Sequence, residues 1–185
     1  GFGVFTDDLM VASGLGRGEL TVTYMLGTIL SSFVLPWGGR AYDRYGARVV
    51  MVLLATMMGG TLYAMGRMDL WVLGISDSLG VSLMFPALVL GFLGLRFLGQ
   101  GMIAMVSRNM VMKWFEKRRG VINGILVIAT SAGLSAGPIV LNDLSELYGW
   151  RGAWTVMALV VGVGFAGVAW LFYRDNPEDC GLDPD

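Results

Sequence analysis

The chain has no histidine and a single cysteine, Cys180, among its 185 residues. One cysteine excludes an internal disulfide, and the lack of histidine removes the commonest metal ligand and the usual proton shuttle at neutral pH. Charged residues are scarce at 15%, whereas soluble domains carry roughly 25%. The net charge of -1 argues against a nucleic-acid partner. We therefore expect no metal site, no cofactor and no bound nucleic acid.

The chain is instead rich in apolar and small residues. Hydrophobic residues make up 55%, the mean hydropathy is +0.66, and there are 28 glycines and 6 tryptophans. Small residues allow transmembrane helices to approach closely, and tryptophan is enriched at membrane interfaces. This composition predicts an all-α membrane protein whose first partner is the lipid bilayer.

Five apolar stretches are long enough to cross a bilayer, which takes about 20 helical residues. Their approximate bounds are 20–37, 49–65, 81–112, 120–141 and 153–173. The apolar start at residues 1–5 is too short to span, so we interpret it as the end of a cut first helix. Residues 174–185 are polar and acidic and contain proline, which is typical of a water-exposed linker. The sequence thus predicts a fragment.

The distribution of lysine and arginine predicts the orientation, because short cytoplasmic loops are enriched in both. Segments 38–48 and 113–119 and the tail 174–185 hold most of these residues, and we expect all three to be cytoplasmic. The opposite side receives Arg17, Arg67 and Arg151, with Arg151 in water beside an interfacial tryptophan. A multi-pass protein of the plasma (inner) membrane is expected.

The segment between the first two complete spans carries the most specific motif. Its pattern Gly39-x3-Asp43-Arg44-x-Gly46-x-Arg48 resembles the loop between the second and third helices of the major facilitator superfamily of secondary transporters. The resemblance implies a twelve-helix fold of two six-helix halves, of which this chain is the N-terminal half with a truncated first helix. It also implies a gating role, in which Asp43 contacts the inner ends of neighbouring helices when the carrier is open outward.

Arg96 is the charge that lies deepest in a predicted span. A charged side chain near the bilayer centre costs roughly 2.5 to 3.5 kcal/mol, so it normally faces a cavity or a partner. At 100° per residue Gln100 and Ser107 fall on its stripe, and Arg96-x3-Gln100 resembles the fourth-helix motif of the superfamily. The alternative is a structural arginine satisfied by helix carbonyls. Tyr24 and Thr28, on the second helix, are further candidates for a substrate or proton pathway, or they bond only their own helix.

The fifth helix contains Gly133-x3-Gly137-Pro138. Two small residues on one face beside a helix breaker predict close backbone approach and a bend. The pattern resembles part of an antiporter motif of the superfamily, although Ile139 and Val140 replace the glycine pair expected next.

Several segments together resemble the monocarboxylate and oxalate/formate branch of the superfamily: residues 1–5, 17–19, 38–48, 113–124 and 177–185. This resemblance implies transport of a small organic anion, often with a proton, by alternating access. The expected partners are that anion, H+, and a C-terminal half of the same polypeptide. A proton-driven drug exporter of the same fold is one alternative. A membrane enzyme or assembly subunit is another, but the complete spans hold no histidine, cysteine, aspartate or glutamate cluster for catalysis.

Overall fold

A computed structural model describes residues 2–79, 83–115 and 117–174, with the side chains of residues 2 and 77–79 excepted. A 3₁₀ turn, Phe2–Phe5, precedes α1 (Thr6–Ser13), and the remaining helices are α2 (Arg17–Met65), α3 (Met68–Leu79), α4 (Met84–Trp114) and α5 (Arg119–Phe172). Over the described residues the structure contains no strand. Helices α2, α4 and α5 are long and apolar enough to cross a membrane.

Helix α2 is broken at one residue, Gly46, whose φ of 79° and ψ of 169° lie outside the helical region. This backbone conformation is essentially restricted to glycine, because a β-carbon would clash with the neighbouring peptide groups. The break divides α2 into α2a, residues 17–45, and α2b, residues 47–65. The conformation explains why the motif requires glycine at this position.

The chain reverses direction at that break, as the contacts of α2 with α4 show. Along α2a, Gly27 lies against Leu93 and Gly38 against Met102, so α2a and α4 run parallel. Along α2b the order is inverted, because residue 65 lies against residue 91 and residue 58 against residue 99. Segments α2a and α2b therefore form an antiparallel hairpin.

Helix α5 is broken in the same way at Gly149, where φ is 70° and ψ is 163°. The two parts are α5a, residues 119–148, and α5b, residues 150–172. Leu134 and Met157 line one cavity, although 23 residues of unbroken helix would separate them by about 34 Å. Both breaks occur in the same short sequence, Tyr-Gly-x-Arg, at residues 45–48 and 148–151.

The helix breaks at Gly46 and Gly149 show that the predicted loops between the spans were too long. Residues 38–45 and 142–148 were expected in loops, yet they continue the preceding helices, and each reversal uses only one non-helical residue. The segment between the predicted spans 49–65 and 81–112, expected as an external loop, contains a 12-residue helix, α3. The start of the predicted span 81–112 and the tail beyond residue 174 lie outside the described residues. The error arose because polar residues were assigned to loops, whereas helices can extend beyond the apolar layer.

Two apolar clusters form the core. The cluster at the Gly149 end contains buried residues of α2b, α3, α4 and α5b together with Phe5, Leu9 and Leu20, and the cluster at the Gly46 end joins α2, α4 and α5b around Met51, Leu98 and Met102. Segments α2b and α5b make backbone contact: a β-carbon on Gly59 would lie 2.5 Å from the Cα of Gly162. Gly59 and Gly162 thus allow these two helices to approach closely.

Segment α5a is peripheral. None of its residues is buried, and apolar side chains such as Ile128 and Leu134 are 72% and 67% exposed. A β-carbon on Gly133 or Gly137 would meet nothing within 4 Å among the described residues, so the expected close approach is not found within this part of the chain. Pro138 lies inside the helix, and the only non-helical residue of α5 is Gly149. The packing of this face stays a prediction.

Candidate substrate cavity

A cavity of about 370 Å³ lies between α2, α4 and both parts of α5. Most of its wall is apolar or aromatic, and the polar groups gather on α2a and α4. The lining residues are Phe5, Tyr24, Met58, Leu62, Phe92, Leu95, Arg96, Gln100, Leu134, Leu141, Trp154 and Met157. No aspartate or glutamate is among them. The only formal charge on this wall is the positive charge of Arg96, which favours an anion over a cation.

Arg96 is held on two sides. Its Nε donates a hydrogen bond to Thr28 Oγ1 at 3.0 Å, and its guanidinium carbon lies 4.9 Å from the centre of the Tyr24 ring. Thr28 in turn donates to the carbonyl of Tyr24 at 2.8 Å. Within the described residues the terminal amino groups of Arg96 have no recorded hydrogen bond. The arginine is therefore anchored by one edge, while its terminal pair of donors is available for a planar acceptor.

The backbone around Arg96 is wider than an α-helix. Residues Leu95–Ile103 form a π-helical stretch within α4, in which hydrogen bonds run from residue i to i+5. Such stretches are rare in proteins as a whole, but those that occur are often found at functional sites. They also change the angle between successive side chains, so the stripe calculated at 100° per residue does not hold across this segment.

A second, shallower cleft of about 170 Å³ lies on the other side of Arg96 and Gln100. Its polar wall comes from α2a, where the hydroxyls of Ser31 and Ser32 donate to the carbonyl of Thr28 at 2.7 and 3.2 Å. These hydroxyls bond their own helix backbone, as serine and threonine often do in helices. Arg96 and Gln100 thus border both the apolar cavity and the polar cleft.

Four of the five predicted pathway residues, Tyr24, Thr28, Arg96 and Gln100, come together around these two spaces. Ser107 does not join them. It lies 11 residues beyond Arg96, about 16 Å along the helix, and its hydroxyl is 3.0 Å from the hydroxyl of Tyr173. The stripe calculation assumed an ideal α-helix and took no account of depth, so a place for Ser107 in the pathway stays a prediction. Ser107 links α4 to the end of α5b.

At the Gly46 end, the motif residues differ in the contacts that they make. Arg48 donates from Nε to the carbonyl of Trp170 at 2.8 Å and stacks on its ring at 4.3 Å, which ties α2b to α5b. The guanidinium of Arg44 lies 5.5 Å from the Tyr45 ring. Asp43 is exposed and makes no ion pair or side-chain hydrogen bond with any described residue. Its role as a latch stays a prediction, whereas Gly46 and Arg48 have evident structural roles.

The Gly149 end holds an ion pair that sequence reasoning missed. Arg151 donates from a terminal amino group to Asp69 Oδ2, and the Asp69 side chain is only 10% exposed. Beside it Arg67 donates to Thr155 Oγ1 at 3.0 Å. Arg151 is exposed, as expected, with 46% of its side chain accessible; what sequence reasoning missed is its partner, the buried carboxylate that α3 brings to it. The arginine of the other Tyr-Gly-x-Arg sequence, Arg48, also reaches across to another helix, but that contact is visible only in the structure.

Comparisons with known proteins agree with this architecture. The profile of the Major Facilitator Superfamily matches residues 3–183. The chain therefore belongs to this superfamily of membrane transporters, and it is an integral membrane protein. It is similar to "MFS-type transporter 1" of Ophiocordyceps sp. (strain BCC 1869), with 28% identity over 155 residues, which are 78% of this chain and 30% of that protein. The chain spans less than a third of that relative. No solved structure matches it significantly.

Proposed function

We propose that this chain is one half of a secondary transporter that moves a small organic anion by alternating access, with Arg96 as the residue that binds the anion. The observation that carries the proposal is the partial anchoring of Arg96 by Thr28 and Tyr24 on the wall of an otherwise apolar cavity. An arginine fixed in this way presents a planar fork of donors that matches a carboxylate. Membership of the superfamily supports transport in general.

The remaining parts of the proposal concern what surrounds this half. A second six-helix half would supply the other wall of the cavity, and a proton would accompany the anion. The Gly46 end, with its basic residues, would face the cytoplasm. The lack of a carboxylate among the described lining residues disfavours the alternative of a proton-driven drug exporter, which would be expected to carry membrane-embedded carboxylates.

The proposal is tested by substitution of Arg96 in the complete carrier. Arg96→Lys keeps the charge and should retain folding and partial transport, whereas Arg96→Gln should abolish uptake of an anionic substrate or uncouple it from protons. Arg108→Gln is a matched control, because Arg108 is an exposed arginine of the same helix outside the cavity lining. Correctly inserted Arg96→Gln protein with normal substrate affinity, rate and proton coupling would show that Arg96 is only structural.

A further inference from the structure

The shape and chemistry of the cavity indicate which kind of anion fits beside Arg96. The space of about 370 Å³ on this side of Arg96 lies at the lower end of the range of roughly 300–1,000 Å³ typical of small-molecule pockets. A carboxylate of one to three carbons would occupy a small fraction of this space. The rest of the cavity would stay filled with water against an apolar wall, which is unfavourable.

The wall opposite the charge is aromatic and aliphatic. Trp154 packs on Phe5 with ring centres 5.3 Å apart, and the Phe92 ring meets the Tyr24 ring edge to face at 5.4 Å. Because Tyr24 also lies against the Arg96 guanidinium, the aromatic surface begins directly at the charged group. The two features are thus adjacent, as an amphiphilic ligand requires.

The polar groups of the cavity wall do not provide a second cation. The Trp154 side chain is 3% exposed, and its indole Nε1–H has no hydrogen-bond acceptor within the described residues. This group can donate one hydrogen bond, but it is neutral and supplies no positive charge to compensate the cost of burying a second carboxylate. A dianion such as oxalate would leave one charge unpaired on this side of the site.

We infer that the substrate is a monocarboxylate with an apolar body of about four to eight carbons, alkyl or aromatic, whose carboxylate binds Arg96 and whose body fills the cavity between Phe92, Leu62 and Trp154. This inference rests on the proposed function, since it assigns the carboxylate end to Arg96. It extends that function by naming the part of the substrate that gives selectivity.

Competition for uptake in the complete carrier tests this inference with straight-chain carboxylates from acetate to octanoate and with phenylacetate. Each buried CH₂ contributes about 0.8 kcal/mol, so affinity should rise about fourfold for each added carbon until the cavity is filled. The corresponding primary amides should compete poorly at every length. Oxalate should compete no better than acetate.

A variant that fills the cavity tests whether the increase of affinity with chain length arises there. Met157→Trp should reduce the affinities for octanoate and phenylacetate relative to that for acetate in the same variant, because Met157 lines the cavity. Met25→Trp is the matched control: Met25 is 49% exposed on α2a and is not part of the cavity lining, so it should change none of the affinities.

The outcomes separate the two proposals. If Arg96→Gln abolishes carboxylate competition but affinity is independent of chain length, the inferred apolar body is wrong and the anion site stands. If the amides compete as well as the carboxylates and Arg96→Gln has no effect, the anion site itself is wrong. A length dependence that Met157→Trp does not alter would overturn the assignment of the body to this cavity.

Discussion

The ion pair between Asp69 and Arg151 predicts unequal effects when its two partners are removed. The Asp69 side chain is 10% exposed and that of Arg151 is 46% exposed. Arg151→Gln leaves a buried carboxylate whose Oδ1 already has no hydrogen bond from the described residues, and an unsatisfied buried group of this kind costs about 1–3 kcal/mol. Asp69→Asn leaves an arginine that can be hydrated and that stacks on Trp150 at 4.7 Å, so we expect a loss below about 1 kcal/mol.

The double variant supplies the decisive comparison. When both charges are removed, no charge is left buried, so Asp69→Asn should recover most of the stability that Arg151→Gln loses. At about 2–4 °C for each kcal/mol in a chain of this size, a loss of about 2 kcal/mol lowers the Tm by about 4–8 °C. Thermal unfolding of the purified protein in detergent measures these shifts.

Arg17→Gln is a suitable control. Arg17 pairs with Asp7 at 3.3 Å, but the two side chains are 73% and 86% exposed, so loss of this pair should shift the Tm very little. The reasoning is refuted if Asp69→Asn costs as much as Arg151→Gln, or if the double variant is less stable than Arg151→Gln alone.

Three further predictions concern the gate, the topology and the packing. Asp43→Asn should leave expression intact and slow turnover roughly two- to fivefold, as expected for the loss of an exposed charge contact of about 0.2–1 kcal/mol, and a transport assay would measure this. A cysteine introduced at Lys117 should react only with reagents in the cytoplasm, and one at Glu146 only from outside. Gly59→Ala should cost about 1–3 kcal/mol, measured by unfolding in detergent, because its β-carbon would collide with α5b.

Each of these tests has its own control. Normal transport with unchanged accessibility of the inner gate would contradict the role of Asp43. The labelling needs a Cys180→Ser background, and reaction of both introduced cysteines from one side would refute the predicted orientation. Gly60→Ala is the neighbour of the packing variant, and its β-carbon meets nothing within 4 Å. Gly60→Ala should leave stability unchanged or raise it, because alanine has the higher helix propensity. Equal losses at both glycines would contradict the role of the contact with α5b.

Arg96, Gln100, Tyr24 and Thr28 could be proposed from the sequence because a membrane-depth charge and a polar stripe are local patterns, and the structure brings them together. The same reasoning could not give the distance of Ser107 from them, since angular position around a helix says nothing of depth; the roles of all five residues stay predictions. The pairing of residue 69 with residue 151 could not be predicted from local patterns, because it joins segments 82 positions apart. The loop boundaries failed for another reason: polarity marks where the bilayer ends, and the helices continue beyond it.

The conformations of Gly46 and Gly149 also have a genetic consequence. Every single-base missense change in a glycine codon introduces a residue with a β-carbon, and the backbone region of both residues excludes one. Gly14, also with positive φ, lies instead in the left-handed helical region, which asparagine can adopt. In a comprehensive substitution library, all variants that replace Gly46 or Gly149 should therefore be depleted after selection for function. Selection at these two positions would preserve the backbone conformation, and it would be the same for any transported substrate.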